Sequence, residues 1–149
     1  MDVTGVIAFG YYDGVTEGVA RQAFGADYCY FKVIAWDGGQ DDRLHAVVEI
    51  SAAAYLCIAS LLESAQAAPD LHAWFPAWDH LAEAHRTGLE AILKRLQDDL
   101  LLKGSLVYSR GIGQRETLRV AIDASNATRV GAALLEDAPG DIAQWKREL

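Results

Sequence analysis

Over the first fifty positions hydrophobic and polar residues alternate, and further on the spacing changes to three and four, so the chain reads as strands followed by helices. In "FGYYDGVTEGVA" (9–20), Asp13-Gly14 accepts positive φ at both positions of a two-residue loop, which predicts a hairpin from Val6 to Arg21. That turn sets Tyr12 against Val15, Tyr11 against Thr16, Phe9 against Gly18 and Ile7 against Ala20. One side of the ribbon then carries Ile7, Phe9, Tyr11 and Ala20 as a core face; the other carries Val6, Gly10, Glu17, Val19 and Arg21. A third strand, "DYCYFKVIAW", separates Cys29, Phe31, Val33 and Ala35 from Tyr28, Tyr30, Lys32, Ile34 and Trp36. After the turn "DGGQDD", a fourth strand sets Leu44, Ala46, Val48 and Ile50 against His45, Val47 and Glu49. The expectation is a four-strand antiparallel meander.

Ser51 is a suitable N-cap for a first helix through "AAAYLCIASLLESAQAA", with Tyr55, Ile58, Leu61 and Leu62 inward and a break at Pro69-Asp70. A second helix starts at Pro76, carrying an apolar stripe from Trp78 through His85, Leu89, Ile92, Leu93 and Leu96 to Leu100. Its opposite face is charged, and Glu90 and Lys94 are spaced for an i,i+4 pair. Beside the stripe run Ala77, Ala84, Gly88 and Ala91, which predicts close packing by the first helix. "SLVYS" and "ETLRVAID" form a later hairpin around "RGIGQR"; helices near 127–135 and after Asp141 close the chain. The whole predicts one α+β domain over 1–149: a meander plus a later hairpin, packed on two long central helices and the C-terminal ones.

Composition changes this picture little. With 52% hydrophobic and 23% charged residues, 149 residues can bury a core without a disulfide or metal staple. A net charge of −8, with no run of Lys or Arg, argues against nucleic acid as partner. No apolar stretch approaches the roughly 20 residues of a membrane span, and Asp2 stands where a signal peptide carries positive charge, so a cytoplasmic location is expected. Cys29 and Cys57 belong to no CxxC pair and read as buried apolar residues.

Three groups of side chains have chemical potential. Glu17, Lys32, His45 and Glu49 are expected together on the second face of the meander, among Tyr28, Tyr30 and Trp36. Such a set contains the parts of acid–base catalysis, though opposite charges on neighbouring strands also pair as plain surface contacts. Both faces of the third strand are apolar, so its outer side needs a cover: the C-terminal helices, a second subunit or a partner. Arg110 and Arg115 flank the glycines of "SRGIGQRE" and form an alternative anion-binding loop, although a phosphate loop normally opens a helix rather than a strand. His80 and His85 diverge by roughly 140° on a helix, and no His/Cys spacing supports a metal. "HAWFPAW" (72–78) reads as a helix anchor. No cofactor is implied. The expected function is a non-catalytic protein-binding domain of inhibitor, immunity or adaptor type, through a protein partner or self-association. The alternative is a small-ligand protein or enzyme using the Glu/Lys/His cluster or the arginine loop.

Overall fold

A computed structural model describes residues 4–11, 15–64, 73–74, 82–110 and 116–148. In chain order these form β1 (Thr4–Tyr11), β2 (Val15–Ala23), β3 (Ala26–Asp37), β4 (Asp42–Glu49), α1 (Ala52–Ser64), β5 (Ala73–Trp74) and α2 (Glu83–Lys103). They continue with β6 (Ser105–Arg110), β7 (Glu116–Ala121), α3 (Ala127–Leu134), β8 (Gly140–Asp141) and α4 (Ile142–Lys146). The Asp13-Gly14 turn, Pro76, most of "HAWFPAW" and Arg115 lie outside the described residues.

The α+β class, the meander and the later hairpin are as expected. One sheet runs β5-β1-β2-β3-β4-β6-β7, antiparallel from β1 to β7; β5 joins β1 in parallel, and β8 pairs in parallel with the end of β3. The expected pair of long central helices becomes one: α2 has 21 residues and α1 has 13. Ser51 caps α1, its Oγ accepting from the Ala54 amide at 3.0 Å, and the Asp141 carboxylate caps α4 by accepting from Ala143 at 2.8 Å. No described helix is long and apolar enough to cross a membrane.

Residues from all four helices pack on one face of the sheet. Tyr55 and Ile58 of α1, Leu89, Leu96 and Leu100 of α2, Val130 and Leu134 of α3 and Trp145 of α4 bury Ile7, Val19, Tyr30, Leu44, Val48 and Leu106. The face expected to need a cover is therefore the main core, and α2, α3 and α4 supply that cover.

On its other face the sheet curls around a smaller cluster of Ala20, Cys29, Phe31, Val47 and Val107. The curl is visible in one contact: Arg119 of β7 donates to the Phe24 carbonyl at the β2–β3 turn. Strands spaced about 4.8 Å apart would hold these sites well apart in a flat sheet. That turn is a two-residue loop between Ala23 and Ala26, with φ of +53° at Phe24 and +78° at Gly25. Positive φ at both positions is the type I′ pattern, but a phenylalanine there is strained. Its ring packs 4.7 Å from the His45 ring and 5.7 Å from Phe31, which offsets the strain.

Two registers differ from expectation. Ile7 pairs with Val19 and Ala8 with Gly18, so Ala20 faces the smaller cluster and not the Ile7 side. A one-residue slip exchanges every side chain between faces. In β3 a bulge falls between Val33 and Ala35, so Ile34 and Ala35 both enter the main core. On α2, Lys94 pairs with Asp98 rather than Glu90, and Ala84 and Ala91 are exposed.

A Cβ on Gly88 would meet nothing within 4 Å, so no close helix packing explains that glycine. Gly88→Ala should therefore raise stability in urea unfolding by about 0.5–1 kcal/mol. A Cβ on Gly18 would lie 2.4 Å from the Ile7 carbonyl oxygen. Gly18→Ala should cost about 1–3 kcal/mol, and equal stability of the two variants would contradict both assignments.

Candidate functional site

The bulge at Ile34 decides which candidate residues meet. Asp37, Trp36 and Ala35 pair in step with Asp42, Arg43 and Leu44. Continued unbroken, that register would place His45 opposite Ile34 and Glu49 opposite Tyr30. The bulge moves each by one residue: Val33 faces His45, Lys32 faces Ala46 and Cys29 faces Glu49. Glu17, Tyr28, Tyr30 and Lys32 therefore share the helix-covered side, whereas His45, Glu49 and Trp36 lie on the curled side. The expected Glu17–Lys32–His45–Glu49 cluster does not assemble.

On the helix side, Tyr30 is fully buried and its hydroxyl donates to Glu17 Oε1 at 2.6 Å. Gln97 of α2 donates to the same hydroxyl at 3.4 Å, and Lys32 Nζ lies 3.8 Å from Glu17 Oε2. Lys32 also donates to the Leu134 carbonyl, at the C-terminal end of α3, where a cation is favoured. Burial, with the neighbouring Glu17 carboxylate, pushes the Tyr30 hydroxyl well above its usual range. These groups spend their polar atoms on one another and tie β2 and β3 to α2 and α3. Tyr28 is half-buried, its ring 5.2 Å from that of Tyr55.

On the curled side His45 is completely buried. Its Nδ1 lies 3.2 Å from Ser109 Oγ, and its Nε2 has no hydrogen-bond partner among the described residues. Burial first, then the Arg43 charge, lowers its pKa to about 3, with the Val107 backbone acting the other way. So neutral an imidazole is too weak a base to activate Ser109 near pH 7. Trp36 is half-buried, with the Arg43 guanidinium 6.0 Å from its ring centre.

A further cluster has no forewarning in the sequence. Asp42, nearly buried, accepts from the Tyr108 hydroxyl at 2.5 Å and lies 3.4 Å from Lys146 Nζ and 3.7 Å from Arg110 Nε. The Tyr108 hydroxyl, ahead of those two cations, holds its carboxyl below the usual range. Arg110, half of the expected anion-binding pair, is thus engaged in tying β6 to β4. Cys29 is buried, and burial pushes its thiol up to about 12; Cys57, expected buried, is exposed on α1.

What stays open is the sheet margin at β7. β5 occupies the outer edge of β1, but among the described residues no strand pairs with the outer edge of β7. Leu118 is 40% exposed there. Hollows flank the strand on both faces. On the helix side one of about 330 Å³ is lined by Val120, Arg129, Trp145 and Glu148; on the curled side one of about 280 Å³ is lined by Phe24, Glu49, Lys103 and Arg119. Among the described residues no His/Cys/Asp/Glu group is placed to hold a metal. The chain matches no protein-family model, and no curated protein or solved structure is similar enough to count as a match.

Two outcomes follow from these environments. Between about pH 6.5 and 3 the unfolded chain binds a proton at His45 that the folded chain refuses, so acid favours unfolding in that window. The contribution reaches about 1.4 kcal/mol per pH unit, and His45→Gln should remove it from the pH dependence of urea midpoints; an unchanged slope would refute the assignment. A water-soluble thiol reagent should label Cys57 rapidly in the native protein and Cys29 only after denaturation, as the mass of the adduct will report.

Proposed function

We propose that the protein is a binding module that takes an extended segment of a protein partner along the open edge of β7. The observation that carries this reading is the edge itself: among the described residues no strand pairs with the outer side of β7, a six-residue strand, whereas β5 pairs with Val6 and Ile7 of β1. An added strand gains main-chain hydrogen bonds from such an edge, and pockets beside it sort alternate side chains. Both parts are at hand. Partner side chains on the helix side would lie beside Leu118, Val120 and Trp145; those on the curled side would lie beside Glu116 and Arg119.

The edge also carries restraints. It is six residues long, has a bulge where Ser109 passes from Tyr108's register to face Glu116, and turns Arg119 towards the curled side. Features of this kind keep edges from joining indiscriminately, which favours a chosen partner over open-ended self-association. The acidic charge of −8 adds mutual repulsion between copies. No catalytic step is assigned, because the polar clusters described above satisfy one another or are sealed from solvent. Inhibitors, immunity-type proteins and adaptors act through surfaces of this kind.

Leu118→Lys places a charge on the open edge without disturbing the core. In capture from the source cells followed by cross-linking, wild type and the exposed-site control Leu56→Lys should retain one partner whose cross-links fall on β7. Leu118→Lys should lose it at least tenfold, with melting unchanged. Retention by Leu118→Lys, or cross-links mapping elsewhere, would sink the reading.

A further inference from the structure

The hollow on the curled side has a charge pattern of its own. It lies where four parts of the chain converge: the β2–β3 turn (Phe24), the end of β4 (Glu49), the α2–β6 junction (Lys103 and Ser105) and β7 (Glu116 and Arg119). The junction is pressed tightly against β4. A Cβ on Gly104 would come within 2.9 Å of the Val47 carbonyl oxygen, so only glycine lets the end of α2 come this close.

Two of the four charges are committed. Arg119 Nε donates to Glu116 Oε1 at 2.9 Å, and the same guanidinium holds the Phe24 carbonyl, making a braced wall. Glu49 and Lys103 are different: among the described residues neither makes an ion pair or a side-chain hydrogen bond. The hollow thus pairs two acids with two bases and is locally neutral, in a chain whose overall charge is −8. A simple anion would meet Glu49 and Glu116, and a simple cation would meet Lys103 and Arg119. A zwitterion offers a cation to the free acid and an anion to the free base. Phe24 and Val47 supply an apolar wall for the remainder. The volume of about 280 Å³ leaves room for a molecule the size of an amino acid.

We infer that this hollow binds a free α-amino acid with an apolar side chain, its ammonium group on Glu49 and its carboxylate on Lys103. The inference does not depend on strand addition at β7, since Leu118 lies outside the hollow.

The test is a ¹H–¹⁵N titration of the whole protein with L-leucine, leucinamide (no carboxylate) and 4-methylpentanoate (no ammonium). Leucine should shift the amides of Gly25, Glu49, Ser105 and Arg119. Each one-charge analogue should bind at least tenfold more weakly, because each leaves one charged group of the hollow unanswered. Glu49→Gln and Lys103→Gln should each weaken leucine by a similar factor with melting unchanged, and Glu49→Asp should recover part of the loss. Leu118→Lys should bind leucine as wild type does, even if it loses the protein partner. The inference is overturned if no amide around the hollow moves with leucine at tens of millimolar. Analogues binding within twofold of leucine, or charge variants binding it unchanged, would overturn it equally.

Discussion

A single extra residue in β3 governs the layout of this protein. The bulge at Ile34 lets two consecutive residues, Ile34 and Ala35, enter the same core, and it reverses the facing of everything that pairs beyond it. Bulges strengthen the local twist of a ribbon. Here that accompanies the roll of the sheet away from the helices, until the β2–β3 turn and β7 touch through Arg119 and Phe24. Two unlike interiors result. One is wide, with residues of all four helices packed against it. The other is narrow, lined by alanine, cysteine and valine beside Phe31, with His45 sealed inside it.

This division accounts for the fate of the charged residues. On the wide side, Glu17 and Lys32 are tolerated near the core because Tyr30, itself backed by Gln97, answers the first and the end of α3 the second. A buried charge that lost one such partner would be costly, so the set behaves as a clamp between layers. On the narrow side burial, with the Arg43 charge beside it, keeps His45 uncharged. At the rim, Glu49 and Lys103 make no ion pair among the described residues, and the outside of β7 pairs with no described strand.

Much of the fold was legible because it rests on local signals. Alternation marked the strands, Ser51 and Asp141 marked two helix starts, and the spacing of Leu89, Leu96 and Leu100 marked the buried stripe of α2. The site was not legible, for a definite reason. Which candidates meet depends on the offset between strands, and nothing in "FKVIAW" separates a regular strand from one with a bulge. The β2–β3 turn was hidden likewise: Phe24 is a poor turn former, held at positive φ by ring contacts made with residues distant in sequence. Asp42 was missed because its partners, Tyr108 and Lys146, come from β6 and α4. The described part of the second helix starts at Glu83, after Ala82 in a non-helical conformation, and its expected start at Pro76 lies outside the described residues.

The short β8 strand bears on how the chain reaches this state. Gly140 and Asp141 dock beside Ala35 and Trp36, along the stretch of β3 that β2 does not cover, so partners more than a hundred residues apart must meet. Closing so large a loop is entropically slow, whereas the meander needs only neighbouring segments. In the finished fold the last helices act as a latch: with Gly140 and Asp141 fastened beside Ala35 and Trp36, Ile142 and Trp145 close the wide interior.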